Sequence, residues 1–167
     1  EGRVTAGHCC SLAENPAETV DYVLEKVRIA DIKIISLPST NLFLQGRGDT
    51  YNIRRGITPI KRIFKEYCIP TALASDNIRD PFNPFGNGNL LETALIAAHG
   101  CHMGSNNDID LLFDMITRQP IEMLGADYHI CDGEEANFII IDAITPCEAI
   151  IGQKNIYGNF QNNRLEI

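Results

Sequence analysis

The sequence has no cluster of lysine and arginine residues to balance its acidic side chains. It carries 14 Lys and Arg residues against 22 Asp and Glu residues, which gives a formal net charge of −8. Contacts between basic side chains and phosphates supply most of the affinity of nucleic-acid-binding proteins. We therefore expect this protein to have no nucleic-acid partner.

The sequence also lacks the marks of membrane and secreted proteins. No apolar run approaches the ~20 residues that span a bilayer, and the N-terminal stretch has no apolar core of a signal peptide. The six cysteines form no CxxC pair and have no regular spacing, which argues against a structural zinc cluster. We expect reduced thiols, a cytoplasmic location and no membrane partner.

The chain does have the length and the apolar content to bury a sizeable core, with 167 residues of which 44% are hydrophobic. Its first half alternates strand-like and helix-like patterns, which predicts an α/β fold with parallel strands and covering helices. Helix starts are indicated at Asn15, as a capping residue, and at Thr58, because each precedes a proline. The predicted strands are residues 3–7, 32–37 and 71–75.

A long segment without clear periodicity, residues 38–57, separates the second predicted strand from the second helix. Long loops inside compact α/β units are often functional. Its aromatic and aliphatic content favours an ordered active-site loop over a disordered insertion.

The second half predicts three helices followed by strands. Asn89 is the expected cap of the first helix, Asn107 or Asp108 caps the second, and a short helix over residues 120–125 ends at a glycine. A strand over residues 136–142 follows. Two further short strands are predicted around Gly158 and Asn162–Asn163.

Two predicted strands end in side chains that bind metals or move protons, His8 and Asp76. The carboxyl ends of parallel strands meet at one edge of a sheet, so these residues are expected to converge. An imidazole and a carboxylate suit a divalent metal site or a general acid/base pair. A helix cap or a hydrogen-bonded linker remains the structural alternative. The loop after Asp76, rich in proline, phenylalanine and glycine, is expected to hold one conformation, or to be a turn with an Asx cap.

Several motifs resemble the cytosine deaminase branch of the metal-dependent amidohydrolase superfamily. The most specific is Ser75–Pro81, which is followed by Pro84–Asn87. The resemblance covers essentially the whole chain. Its other parts are Val4–His8, Leu44–Arg47, Arg54–Thr58, Asp114–Thr117, Leu124–Gly125, Asp127–Tyr128, Gly133 and Ala136–Asp142.

The resemblance implies a partial (β/α)8 (TIM) barrel. Residues 1–130 would supply strands six to eight with their covering helices, and residues 131–167 the C-terminal strands of a small β-sandwich domain. The implied reaction is deamination of cytosine or a related nitrogen heterocycle, an aminated triazine included, by hydroxide bound to zinc or iron.

The resemblance also implies roles for individual residues. Asp76 would be a metal ligand and proton shuttle, and His8 would lie at the metal, polarise the hydroxide and stabilise the tetrahedral oxyanion. Phe82 would wall the substrate pocket. Gln45 and Arg47, on the loop after strand seven, are further candidates for substrate binding.

One departure from the family pattern limits the resemblance, because no His-x-His pair occurs anywhere in the chain. The metal ligands of the first, fourth and fifth barrel strands are missing with it. We therefore interpret the chain as a fragment that is inactive alone and needs an N-terminal half or a homo-oligomeric partner. The alternative is a non-catalytic half-barrel, an assembly or binding module with inherited site residues.

Overall fold

The computed structural model describes residues 2–126, 128–161 and 164–166, without the side chain of Glu166. None of the described helices is long and apolar enough to cross a membrane. A 3-10 helix at Cys10–Glu14 follows the first strand. The other elements in chain order are β1 (Thr5–Gly7), α1 (Ala17–Ile29), β2 (Lys33–Ser36), α2 (Pro38–Leu44), α3 (Ile60–Tyr67), β3 (Thr71–Leu73), α4 (Leu90–Gly100), α5 (Asn106–Ile116), α6 (Arg118–Leu124), β4 (Phe138–Ile141), α7 (Pro146–Gly152), β5 (Ile156–Gln161) and β6 (Arg164–Glu166).

The first three strands form a parallel sheet in the order β1-β2-β3. Gly7 pairs with Ile35, and Ser36 pairs with Leu73, so all three strands end at the same edge. The predicted parallel β-α-β-α-β arrangement is confirmed. Their assignment to strands six to eight of a barrel stays a prediction.

Helices cover this sheet through two hydrophobic clusters. The smaller cluster joins α1 and α3 to β2. The larger cluster joins β3 to the helices α3, α4, α5 and α7. All three residues of β3 are at most 2% exposed, which confirms that this uncharged run is a strand covered on both faces. The fully buried side chains of the two clusters include Leu24, Ile34, Ile60, Ile63, Leu112, Met115 and Ile150.

A second, antiparallel sheet has the order β4-β5-β6. The Phe138 and Phe160 rings stack across it with their centroids 4.7 Å apart. The strand predicted over residues 136–142 is confirmed over 138–141. Asn162 and Asn163, around which the last short strand was predicted, lie outside the described residues, as does Asp127.

Helix α7 was not predicted from the sequence. The Thr145 hydroxyl accepts a hydrogen bond from the Glu148 N–H at 3.1 Å, and the Glu148 carboxylate accepts one from the Ile144 N–H at 3.0 Å. Ala149 and Ile150 of this helix pack into the larger cluster. Residues after 130 therefore contribute to the same core as α4 and α5, and the domain division at residue 130 stays a prediction.

Two of the three predicted helix caps are wrong. The Asn15 side chain donates to the Ser11 carbonyl at 2.7 Å, and α1 begins after Pro16 without a side-chain cap. Helix α5 is capped by Ser105, which exchanges hydrogen bonds with Asp108 in a capping box. Asn89 does cap α4, as predicted, because its side-chain oxygen accepts hydrogen bonds from the N–H groups of Leu91 and Glu92.

The first seven residues of segment 38–57 form α2, which was not predicted from the sequence. Beyond α2 the Arg54 guanidinium binds Asp49 at 2.7 Å and Glu14 at 3.2 Å. The hydrogen bonds from Arg54 lower the pKa of Asp49 to about 2. Arg54 thereby ties this segment to the 3-10 helix.

The carboxylate of Asp108 links α5 to α3 through a hydrogen bond from Lys65, and this link can be tested. Its buried carboxylate accepts hydrogen bonds from Lys65 and from the Ser105 N–H, and these hold the pKa of Asp108 well below its usual range. We expect Asp108→Asn to lower the free energy of unfolding at pH 7 by about 1–2 kcal/mol. A lowered pKa stabilises the fold above the unfolded value of roughly 3.9, and this contribution is lost as the pH falls through the folded pKa.

Urea denaturation of both proteins between pH 7 and pH 2 measures this difference, which should shrink as the pH falls below about 4. Asp110→Asn, at an exposed position of the same helix, is the matched control and should change stability by less than about 0.5 kcal/mol. An Asp108→Asn deficit that stays constant across the pH range would rule out this role for the charge.

Candidate active site at the ends of the parallel strands

The structure brings His8 and Asp76 together although 68 positions separate them in the sequence. The Nε2 atom of His8 lies 4.0 Å from Oδ2 of Asp76. His8 follows the last residue of β1 directly, and Asp76 lies shortly beyond β3. The two side chains are 50% and 25% exposed, so solvent reaches the gap between them. The predicted convergence of these strand ends is confirmed.

Both residues have left-handed backbone conformations, with φ of +64° at His8 and +59° at Asp76. Positive φ is uncommon outside glycine and persists where the surrounding structure holds it. The N–H of His8 donates to the Ile35 carbonyl at 3.0 Å, and its carbonyl accepts from the Thr58 hydroxyl. The backbone of His8 is thus fixed from both sides.

A third residue, Asn41, contacts the His8 ring. Its amide oxygen Oδ1 lies 3.0 Å from Nδ1 of His8. Asn41 lies on α2 and is only 3% exposed. Asn41 was not among the site residues predicted from the sequence. A cue was available in the polar run Ser39–Asn41, which begins a helix next to the end of β2.

Gln45 and Arg47 lie beyond the end of α2 and contact other groups. The Gln45 side chain lies 3.2 Å from the Cys10 sulfur, and the Arg47 guanidinium lies over the Phe43 ring at 4.4 Å. Within the described residues, no hydrogen bond or ion pair joins either side chain to His8 or Asp76. Their role in substrate binding stays a prediction.

A cavity of about 270 Å³ lies beside Ser75, the residue before Asp76. Its aromatic walls are Phe43 and Phe85, whose rings meet edge to face with centroids 5.6 Å apart. Phe82, the aromatic residue predicted to wall the substrate pocket, is 58% exposed and does not line this cavity. The role of Phe82 stays a prediction. The Pro84–Gly86 run was the available cue for Phe85.

The loop after Asp76 is held by Asp80. The Asp80 carboxylate accepts hydrogen bonds from the N–H groups of Phe82 at 2.9 Å and Asn83 at 3.0 Å and from the Asn77 side chain. These bonds lower the pKa of Asp80. The Asx cap considered for Asp76 is therefore formed by Asp80, and this network supports the prediction of a single loop conformation.

The His8–Asp76 pair fits a divalent cation in part. Two bonds of ~2.0–2.2 Å bridge a 4.0 Å gap, so one cation can touch both atoms. Catalytic zinc sites use three or more protein ligands. No group of three or more His, Cys, Asp and Glu side chains that could hold a metal occurs in the part of the chain that the structure describes.

We therefore predict that the isolated 167-residue chain holds no tight metal, because two ligands fall short of a complete site. Elemental analysis after dialysis against a weak chelator measures this directly. Stoichiometric zinc or iron in the isolated chain would contradict the prediction.

Comparison with known proteins finds a deaminase and an amidohydrolase among the relatives of this chain. The chain is 36% identical to a pterin deaminase of Rhizobium rhizogenes over 125 residues, which are 74% of this chain and 28% of that protein. It is 29% identical over 169 aligned positions to an N-isopropylammelide isopropyl amidohydrolase of a Pseudomonas species, covering 99% of this chain and 38% of the relative. No family model matches the chain.

The fold matches solved deaminase structures. A 5-methylcytosine deaminase from Klebsiella pneumoniae, with bound 5-fluorocytosine, superposes with a TM-score of 0.90 at 29% identity, over 99% of this chain and 40% of that one. An N-isopropylammelide isopropylaminohydrolase from Burkholderia multivorans, 16% identical, shares the fold with a TM-score of 0.80 over 99% of this chain and 39% of that one.

The chain thus spans well under half the length of the relatives it matches. Within that span the similarity extends across both sheets and includes the ends of the parallel strands. The chain is therefore similar, over most of its own length, to part of a pterin deaminase, of an N-isopropylammelide isopropyl amidohydrolase and of a 5-methylcytosine deaminase.

Proposed function

We propose that this chain is part of a metal-dependent hydrolase that deaminates cytosine or a related aminated heterocycle. The observation that carries the proposal is the meeting of His8 and Asp76, 4.0 Å apart, at the ends of two parallel strands. It is supported by the likeness to relatives that act on pterin, 5-methylcytosine and N-isopropylammelide. Within this proposal, β1 to β3 are strands six to eight of a (β/α)8 barrel.

His8 Nε2 and Asp76 Oδ2 would hold the cation, zinc or iron, together with ligands from outside these residues. A bound divalent cation would lower the pKa of water, and this would make a nucleophile available at neutral pH. An N-terminal half of a longer chain, or a second copy of this one, would have to provide the remaining ligands.

Asp76 acts in this proposal as the base and then the acid. Its carboxylate accepts a proton from the attacking water and returns it to the ring nitrogen or the leaving amine. Where Nε2 of His8 does not hold the cation, it would instead accept a hydrogen bond from the same water and polarise it. The loop held by Asp80 keeps Asp76 at the strand end, and the left-handed turn keeps His8 there.

Release of ammonia or amine by the longer protein that contains this chain tests the proposal. Cytosine, 5-methylcytosine, pterin and N-isopropylammelide are the substrates to compare, with the His8→Gln variant as the control. Turnover of at least one substrate, reduced in the control, is expected. A metal-loaded protein that releases nothing from any of them would refute the proposal.

The second candidate function is a non-catalytic assembly or binding module. Exposed isoleucines near the second sheet favour it, because Ile139 is 50% exposed, Ile140 44% and Ile144 91%. Ile139 and Ile140 are neighbours in β4 and point to opposite faces, so apolar side chains are exposed on both faces of this strand, and exposed apolar surface is a feature of interaction sites. Sedimentation velocity of the isolated chain, read together with the deaminase assay, separates the two candidates. Self-association without turnover in the longer protein would favour assembly.

A further inference from the structure

We infer that Asn41 is a positioning residue that decides which ring nitrogen of His8 carries the proton. An amide oxygen accepts hydrogen bonds and cannot donate them. Because Oδ1 of Asn41 lies 3.0 Å from Nδ1 of His8, the neutral ring must keep its single N–H at Nδ1 to make this bond. The lone pair is then on Nε2, the atom that lies 4.0 Å from Asp76.

The backbone holds Asn41 in place for this task. Its N–H donates to the Leu37 carbonyl at 3.0 Å, and its carbonyl accepts from the Gln45 N–H at 2.9 Å, so both of its peptide groups are bonded within α2. The residue is 3% exposed, and the amide nitrogen has no hydrogen-bond partner among the described residues. His8 is therefore the partner that the described structure gives to this amide.

The other side of the bond is equally fixed, because the backbone of His8 is bonded to Ile35 and Thr58. The side chains of His8 and Asn41 are short, both backbones are fixed by hydrogen bonds, and one hydrogen bond joins the two side chains. Histidines whose second nitrogen serves a metal or a reacting group are commonly oriented in this way.

The consequence concerns the gap between His8 and Asp76. With the proton on Nδ1, Nε2 is an acceptor, and the facing carboxylate of Asp76 is an acceptor too. Two acceptors 4.0 Å apart favour a cation or a hydrogen-bond donor such as water between them. With the proton on Nε2, the two groups would instead attract each other directly and close the gap. Asn41 thus keeps the gap between Nε2 of His8 and Asp76 open for a cation or a water molecule. That such a group is used there rests on the proposed function.

The test is a long-range proton–nitrogen NMR spectrum of the histidine rings of the 167-residue chain, recorded at about pH 9, above the ordinary imidazole pKa of about 6.5. The chain has four histidines, and the His8 signals are those that disappear in His8→Gln. Nδ1 should give the pyrrole-type shift and Nε2 the pyridine-type shift. The measurement needs neither metal nor substrate, so its result is separate from the success or failure of the deaminase proposal.

Two variants separate tautomer control from packing. Asn41→Leu keeps the volume but removes the acceptor, and the proton should move to Nε2 in at least a large part of the molecules. Asn41→Asp keeps an acceptor at the same place and should retain the proton on Nδ1. A wild-type ring protonated on Nε2, or an Asn41→Asp ring protonated there, would overturn the inference, as would an Asn41→Leu spectrum unchanged from wild type.

Discussion

Replacing Asp76 by asparagine should reduce the turnover of the longer enzyme by about 10²–10⁴-fold while its fold survives. Asparagine has the size and shape of aspartate but cannot accept a proton from water. Asp76 is free to take this role, because within the described residues its carboxylate makes no hydrogen bond, and its ion-pair partner is the His8 ring at 4.0 Å. Steady-state kinetics on the best substrate, with circular dichroism of the variant, measures both parts of the prediction.

Asp80→Asn is the matched control in the same loop. The Asp80 carboxylate accepts two backbone N–H bonds and one from Asn77, so we expect its loss to lower thermal stability more than turnover. If the Asp76→Asn enzyme kept near-full activity, Asp76 would be a turn residue and not a participant in the chemistry.

Replacing Gly86 by alanine should lower the free energy of unfolding by about 2–3 kcal/mol, as for other overpacked sites. A Cβ at this position would lie 2.1 Å from the Asn77 carbonyl oxygen, far inside contact distance. The clash is with backbone, so no side chain can simply move aside. Since Asn77 directly follows Asp76, the loop that carries the acid would have to shift.

Thermal unfolding measures this effect, which at roughly 2–4 °C per kcal/mol should lower Tm by about 4–12 °C. Gly104→Ala is the control, because no atom beyond its own chain neighbours lies within 4 Å of a Cβ built there. Equal Tm values for the two alanine variants would show that the loop conformation described here is not the one in solution.

The parts of the fold that follow from local patterns were predictable. The three parallel strands could be predicted because short apolar runs alternate with helical periodicity, and the cap at Asn89 because an asparagine precedes an apolar helix. The convergence of His8 and Asp76 followed from topology, since parallel strands end at one edge of a sheet. No contact between the two residues had to be known in advance.

The parts that depend on tertiary contacts were not predictable. The role of Asn41 depends on a contact with a residue 33 positions away, and the polar run around it indicates only that it lies near the end of β2. Two other missed features are different, because their cues were local and were overlooked. These are the Ser105–Asp108 capping box of α5 and the Thr145–Glu148 capping pair of α7.

Reading the coding sequence upstream of residue 1 tests the central claim most directly, namely that His8 and Asp76 are two members of a larger deaminase metal site. The account predicts an open reading frame that continues upstream and encodes a His-x-His pair and a further histidine with a nearby glutamate, the ligands and acid that the resemblance requires. An upstream frame of comparable length without these residues would contradict the claim, because His8 and Asp76 would then have no partners with which to complete the site.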